Sequence, residues 1–361
     1  MKSKKILVLM VAVLLIIACM FAACGGGGGG TAGGGGGGGN DGLNLGRVMF
    51  DLSHPYQQGD AAQTEKYAAS LGHSIIILDG KSAPDVISNA VDDLISKKVK
   101  GIIVQPVDGA SINSVVKASQ GAGIPIVTFF VQATEAPGPH VRINEAETSF
   151  ENGAFSAGKW MEFHPDIPIK LAVIDIPDVP FVHEARTLAF IDGVKSVAPD
   201  AEVVAMLDGG GVRDKSLAAG DDLLQSQPDV NIVFGCNADS ALGALAAFEA
   251  AGRGKAVDGV PVSELFVSID GSEPEVLKIL NPNSALKISQ ALLPSLNAKT
   301  NVDTLLKTIN GEIGMTETIV VDTHDQILDF WRMTIEEFQK FLEVEYLSTV
   351  DLKAELADVL K

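Results

Sequence analysis

The chain has 361 residues, room for two domains of ordinary size, and 46% of them are hydrophobic against 20% charged, which excludes wholesale disorder. A formal net charge of −19 argues against nonspecific nucleic-acid binding, which needs Lys and Arg along the phosphates. Three cysteines, Cys19, Cys24 and Cys236, cannot build a disulfide framework.

The N-terminus reads as an export address. Lys2, Lys4 and Lys5 precede an apolar run over 6–18, and small residues follow. The segment is similar to a bacterial lipoprotein signal, in which an apolar residue and two small ones precede a cysteine. Cys24 after Phe21-Ala22-Ala23 fits, and so does Cys19 after Ile16-Ile17-Ala18. Cys24 is preferred because the glycine tract begins directly after it; an uncleaved transmembrane anchor is the alternative. Residues 1–23 are thus expected to be a signal peptide and 24–42 a Gly-rich flexible tether, because glycine has the most backbone entropy to lose and nothing to bury. The tract has no preceding strand and no following Gly-Lys-Ser/Thr, so it does not read as a phosphate-cradling loop. No other apolar run approaches membrane-spanning length, which excludes a polytopic membrane protein.

From Leu43 the chain alternates short β-branched runs with longer amphipathic ones. Strands are predicted at 46–51, 74–79, 101–105 and 126–130, with helices at 55–71, 84–98 and 111–120 between them. The pattern then restarts. Strands at 170–176, 202–207, 231–235, 265–270 and 287–291 alternate with helices at 181–197, 215–226, 240–251 and 273–280. A helix at 298–310, a strand near 317–321 and one or two helices over 334–361 complete it. Strands that are apolar throughout are buried on both faces, and strands separated by helices pair in parallel. The fold class is therefore α/β: two similar Rossmann-like lobes, each a doubly wound parallel sheet.

In such sheets ligands bind outside the carboxyl ends of the strands. That rule selects His54 to Gln57, Gln105, Phe130, the 177–181 loop, Asn237, Asp270 and Gln290. Several are amides or carboxylates suited to hydroxyl groups.

Six segments, in this order, resemble the type I periplasmic binding proteins of the ribose/galactose type. They are FDLSHPYQQ, DDLISKKVKGIIVQPVDGASI, GAGIPIVTFF, RTLAFIDGV, CNADSALGALAAFEAAG and VSIDGSEPEVLKIL, and the resemblance covers roughly 43–321. It implies a two-lobed clamp with a three-strand hinge, crossing near Ile143-Asn144, Gln290-Ala291 and Glu312-Ile313. The N-terminal lobe would hold 43–143 plus 291–312, and the C-terminal lobe 144–290 plus 313–333. A helical tail over 334–361 would pack onto the second lobe. The resemblance assigns ligand contact to His54, Tyr56, Gln105, Arg186, Asn237, Asp270 and Gln290. Phe130 joins them by position, because Phe130-Val131 stands where the family usually has Asp-Arg. A carboxylate acceptor is thereby replaced by an aromatic face, and Gln57 replaces a second aromatic. The pocket should suit a less hydroxylated ring, a polyol, a sugar derivative or a base-bearing ligand.

Each polar residue also has a structural alternative. Asp270 and Asn237 would cap helices, Arg186 would pair with Asp175 or Glu184, and Gln290 would bond only the hinge backbone. Catalysis finds little support. There is no His-Glu-x-x-His or Gly-x-Ser-x-Gly, and Gly209-Gly210-Gly211 lacks the spacing of a dinucleotide loop. Cys236 reads as a small buried thiol. The expected function is a lipid-anchored, extracytoplasmic solute-binding protein of an ABC importer that closes on a monosaccharide or related polyhydroxylated ligand. Its partners would be that ligand and the permease subunits, with the chain itself monomeric and requiring no cofactor or metal. The alternative is a sensor that presents a bound sugar, nucleoside or autoinducer-like molecule to a membrane receptor or kinase.

Overall fold

The computed structural model describes residues 42–360. The export signal, Cys24, Cys19 and the glycine tract lie outside the described residues.

The first half runs β1 (Asn44–Met49), α1 (Pro55–Ser70), β2 (Ser74–Asp79), α2 (Pro84–Ser96), β3 (Ile102–Val104), α3 (Asn113–Gly121), β4 (Ile126–Phe129) and β5 (His140–Ile143). A long helix, α4 (Glu145–Phe163), then leads into β6 (Lys170–Asp175). A short turn, α5 (Pro180–Val182), and a π-helical turn over His183–Leu188 open α6 (Ala189–Val197). Next come β7 (Glu202–Asp208), α7 (Arg213–Ser226), β8 (Ile232–Gly235) and α8 (Ala238–Ala250). A small hairpin, β9 (Ala256–Val257) with β10 (Val260–Pro261), precedes β11 (Leu265–Asp270), α9 (Glu273–Leu280) and β12 (Leu286–Ala291). The chain ends with α10 (Pro294–Ile309), β13 (Val320–Thr323), β14 (Gln326–Asp329), α11 (Ile335–Glu345) and α12 (Leu352–Glu355). Proline in the first turn starts α1, α2, α9 and α10, where its missing N–H would have no helical partner anyway.

The strands form two six-stranded sheets, ordered β13-β5-β4-β3-β1-β2 and β14-β12-β11-β8-β6-β7. All pairings in the first sheet are parallel, and in the second only β14 runs antiparallel, against β12. Apolar strand interiors such as Ile102–Val104 and Val233–Phe234 are wholly buried, as two-sided coverage by helices requires.

Several features depart from the sequence reading. The third crossing was expected near Glu312-Ile313, yet β13 pairs with β5 in the first sheet and β14 with β12 in the second. The chain therefore changes sheet between Thr323 and Gln326, so 320–323 belong to the first lobe. Strand β5 and helix α4 had no counterpart in the prediction, which left 131–169 unassigned. Helix α4 is hard to see because the face it buries is largely polar, with Glu145, Ser149, Asn152 and Ser156, and because it carries Gly153 and Gly158, both poor helix formers. Gly153 is needed for contact: a Cβ there would lie 2.1 Å from the Phe190 carbonyl oxygen on α6. Gly193 on α6 meets α4 in the same way, 2.0 Å from the Phe150 oxygen. The two backbones touch, which fixes where α4 delivers its first residue, Glu145.

Candidate functional site

A cavity of about 290 Å³ lies where the carboxyl ends of the two sheets face each other. The first lobe contributes an aromatic and amide wall. Phe50 and Asp51 follow β1, His54 caps α1, and Tyr56 and Gln57 occupy its first turn. Gln105 follows β3 and Phe130 follows β4. Gln57 donates from Nε2 to Gln105 Oε1 at 3.1 Å and accepts from the Phe50 amide at 3.3 Å. This leaves the Gln105 amide nitrogen without a hydrogen-bond partner among the described residues. The Tyr56 hydroxyl accepts from Asn297 Nδ2 at 3.1 Å, so its ring rather than its oxygen meets the cavity.

The second lobe contributes a charged wall. Arg186 is carried by the π-helical turn, an uncommon widening often found at functional sites, and is buried. Its Nε and Nη2 donate to Glu145 Oε1 at 3.0 and 2.7 Å, and Nη1 donates to the Cys236 carbonyl at 2.9 Å. Nη1 also lies 3.8 Å from Asp270 Oδ1. Asp270 Oδ2 accepts from the Ala238 amide at 3.0 Å. Asn237 caps α8: Oδ1 accepts from the Ser240 amide at 2.8 Å, and Nδ2 donates to the Gly211 carbonyl at 3.0 Å. Gly210 and Gly211 both hold positive φ, and a Cβ at Gly211 would meet Ile176 at 2.6 Å.

The two walls touch. The Phe130 ring lies 5.6 Å from that of Phe181 and 6.2 Å, edge-on, from Tyr56. His54 Nδ1 lies 3.5 Å from Asp239 Oδ2 of α8. Three non-glycine residues at the cavity hold positive φ, Ser82 at 54° and Phe130 at 63° on the first lobe and Asp270 at 115° on the second. Such conformations cost about 1–3 kcal/mol each and persist where surrounding structure dictates them, most often at functional sites.

Electrostatics follow from burial. Burial pushes the Asp270 carboxyl up to about 6, with Arg186 opposing. Burial lowers His54, but Asp239, Asp270 and Asp51 outweigh it and hold the imidazole above its ordinary value. Burial, with Asp175 adding to it, pushes the Cys236 thiol up to about 12, so it stays protonated and unreactive at neutral pH. Among the described residues no group of three or more His, Cys, Asp and Glu is placed to hold a metal ion. The cavity instead offers N–H donors from Gln105, Asn237 and Arg186 and an acceptor at Asp270, beside aromatic faces. Binding hydroxyls requires both kinds of partner, since each buried hydroxyl must replace the water it loses.

Comparison with known proteins bears on what this cavity is. The periplasmic binding protein domain matches residues 45–292. The chain belongs to this family. It is 26% identical over 265 residues to the ribose import binding protein of Escherichia coli, covering 73% of this chain and 84% of that one. Its identity to the ribose import binding protein of Bacillus subtilis is 25% over 248 residues, covering 68% and 75%. Two solved structures share the fold. One is an ABC transporter periplasmic solute-binding protein from Actinobacillus succinogenes with bound D-allose, at TM-score 0.67 and 20% identity, covering 82% of this chain and 99% of that chain. The other, from Mycobacterium smegmatis in complex with β-D-fucofuranose, has TM-score 0.69 and 18% identity, covering 88% and 98%. Membership of the periplasmic binding proteins implies an extracytoplasmic setting. No helix among the described residues is long and apolar enough to cross a membrane.

Seven of the eight candidate residues line this cavity: His54, Tyr56, Gln105, Phe130, Arg186, Asn237 and Asp270. Gln290 is not on its wall. Its side chain is engaged behind it, accepting from Ser149 Oγ at 2.8 Å and donating to Asp325 Oδ2 at 2.6 Å and to the Glu145 carbonyl at 3.3 Å. Glu145, Gln290 and Asp325 lie near the three crossings between the sheets, so Gln290 ties the hinge together. The alternative expected for it, the hinge backbone alone, is also too narrow, because two of its three partners are side chains. Arg186 has its ion-pair partner, but that partner is Glu145 and not Asp175 or Glu184. Asp175 is instead bonded by His183 and Thr187. Glu145 was missed because α4 was missed; its one sequence signal is an acidic residue in a helix's first turn. Phe50, Asp51 and Ser82 were missed too, since loop residues next to a strand end carry no motif of their own, and so was Val182 in the short turn α5.

Proposed function

We propose that the chain is the solute-binding protein of an ABC importer, and that it holds one monosaccharide or related small polyhydroxylated ligand between its two lobes. The observation that carries this reading is the pairing of an aromatic and amide wall on one lobe with the Arg186, Asn237 and Asp270 wall on the other. An aromatic ring covers the apolar face of a sugar, while amides, carboxylate and guanidinium exchange directional hydrogen bonds with its hydroxyls. The ribose import binding proteins of E. coli and B. subtilis, and the neighbours holding D-allose and β-D-fucofuranose, support the ligand class.

The mechanism is hinge closure. A ligand docked on one lobe meets only half of its partners, and the rest arrive when the lobes shut. That difference in contact free energy shifts the population toward the closed form. The closed form would be what the permease subunits recognise. A lipid on Cys24, or on Cys19, would keep the chain at the outer face of the cytoplasmic membrane. His54, Tyr56, Gln105 and Phe130 act from one side and Arg186, Asn237 and Asp270 from the other.

Calorimetric titration of residues 42–361 with pentoses, hexoses and inositols tests the reading. One sugar is expected to bind one-to-one at about micromolar affinity, which three or four charge-assisted hydrogen bonds support. Asp270→Ala should weaken it by about two orders of magnitude. Unchanged affinity in that variant would remove the assignment of the site.

A further inference from the structure

The C-terminal tail lies outside the matched domain, yet it reaches the cavity from behind. Helix α11 begins with a capping box, Thr334 with Glu337, and buries Phe338, Phe341 and Leu342 in one cluster with Val276 and Ile279 of α9. That anchors it to the second lobe. Its last turn also holds the first lobe. Gln63 of α1 donates to the Glu345 carbonyl at 2.9 Å, and the Glu345 carboxylate accepts from the Ser295 amide and hydroxyl of α10 at 2.8 and 2.9 Å.

Tyr346 follows directly. Its hydroxyl donates to the backbone carbonyl of Asp270 at 2.8 Å. Its ring rests on α1, where a Cβ on Gly59 would come within 2.8 Å of Tyr346 Cδ1. One side chain therefore touches both lobes, and its polar end holds a residue whose backbone is strained. The same carbonyl accepts from the Leu292 amide at 3.2 Å, so two donors clamp the peptide that follows Asp270. With the Asp270 carbonyl so held and the residue at φ 115°, the carboxylate reaches the Ala238 amide with one oxygen and faces the Arg186 guanidinium at 3.8 Å with the other.

We propose that Tyr346 is a positioning residue for the ligand cleft, holding the Asp270 carboxylate in its binding pose from a seat on the first lobe. The proposal rests on the reading of the cleft as a ligand site. It gives the tail a purpose: the pose of a second-lobe acceptor depends on where α1 of the first lobe stands.

The test compares the parent chain with Tyr346→Phe, which removes one oxygen and keeps the ring, and with Gly59→Ala, which pushes on that ring from α1. The Ala238 amide reports the carboxylate directly, because Asp270 Oδ2 is its acceptor. In sugar-free protein both variants should shift the Ala238 amide proton resonance and raise its hydrogen exchange about tenfold, with amides far from the cleft unmoved. Affinity for whichever of D-ribose, D-allose and myo-inositol the parent binds should fall about 5- to 10-fold. An unchanged Ala238 resonance and exchange rate in Tyr346→Phe would overturn the positioning role. A response in Tyr346→Phe but none in Gly59→Ala would overturn the seat on the first lobe. If the parent bound none of the three sugars while Ala238 still responded, the sugar reading would fail and the positioning of Asp270 would stand.

Discussion

The two walls of the cleft are built from the same fold in opposite chemical styles. Both place residues at the carboxyl ends of parallel strands, and both carry non-glycine residues at positive φ beside the cavity, Ser82 and Phe130 on the first and Asp270 on the second. The first lobe presents rings and a pair of amides, Phe50, Tyr56, Phe130, Gln57 and Gln105. The second presents Arg186, Asn237 and Asp270, held by Glu145, Cys236 and Ala238. The difference assigns separate tasks. In the proposed reading the charged wall would grip hydroxyls, and the aromatic wall would decide which ring shape fits against it. Affinity should therefore depend chiefly on the second lobe and selectivity on the first.

Breaking the charged wall should have the largest effect. Arg186→Ala leaves Glu145 buried without its cation, and an uncompensated buried charge costs about 3–5 kcal/mol. Chemical denaturation should show that loss, and calorimetry should show sugar binding reduced at least about 100-fold. A stability loss below about 1 kcal/mol would contradict a buried Glu145 that depends on Arg186 for its cation.

Changing the aromatic wall should alter preference more than strength. Phe130→Asp places a carboxylate on the first lobe and removes a ring that touches Phe181. Titration against the sugar panel should show the ranking move toward more fully hydroxylated rings, with about 10-fold changes for individual sugars. A uniform loss across the panel would count against the division of tasks.

The effect least tied to sugar contact is on stability against pH, and it belongs to the second lobe and the hinge. Burial, reinforced by Glu145, pushes Asp325 up to about 8, and burial, reinforced by Asp270, pushes Glu275 up to about 8. A carboxyl with a raised folded-state value keeps its proton at a pH where the unfolded chain has released it. The stability it contributes is full below the ordinary value and is lost as pH rises through the folded value. The window runs from about 4 to about 8 for both groups. The thermal midpoint of the ligand-free protein should fall between about pH 5 and about pH 8, and Asp325→Asn should flatten that fall. A midpoint that rose over the same interval in the parent chain would contradict the raised values.

Much of this was legible in the sequence because it depends on periodicity. Apolar β-branched runs such as GIIVQ and NIVFG can only be buried strands, and the strand-end rule then found Gln105, Asn237 and Asp270 without further help. What escaped depends on contacts that leave no periodic trace. Helix α4 buries a face of polar and small residues, among them Glu145, Ser149, Asn152, Gly153 and Ser156, and touches α6 at Gly153, so it shows no apolar stripe at helical spacing. Glu145 was lost with it, and with Glu145 the reason Arg186 is held in place. Gln290 obeyed the strand-end rule but sits where the chain crosses between sheets, so its amide joins the hinge and not the cavity wall. The third crossing was misplaced because β13 and β14 are four residues each and only half apolar, and only pairing shows that they belong to different sheets.

Small-angle scattering during a sugar titration tests the central claim most directly, that one hydroxylated ligand is shut between the lobes. For the parent chain the radius of gyration should contract and saturate with the calorimetric binding curve, and Arg186→Ala should show no contraction at the same concentrations. Saturable binding with an unchanged radius would contradict the account.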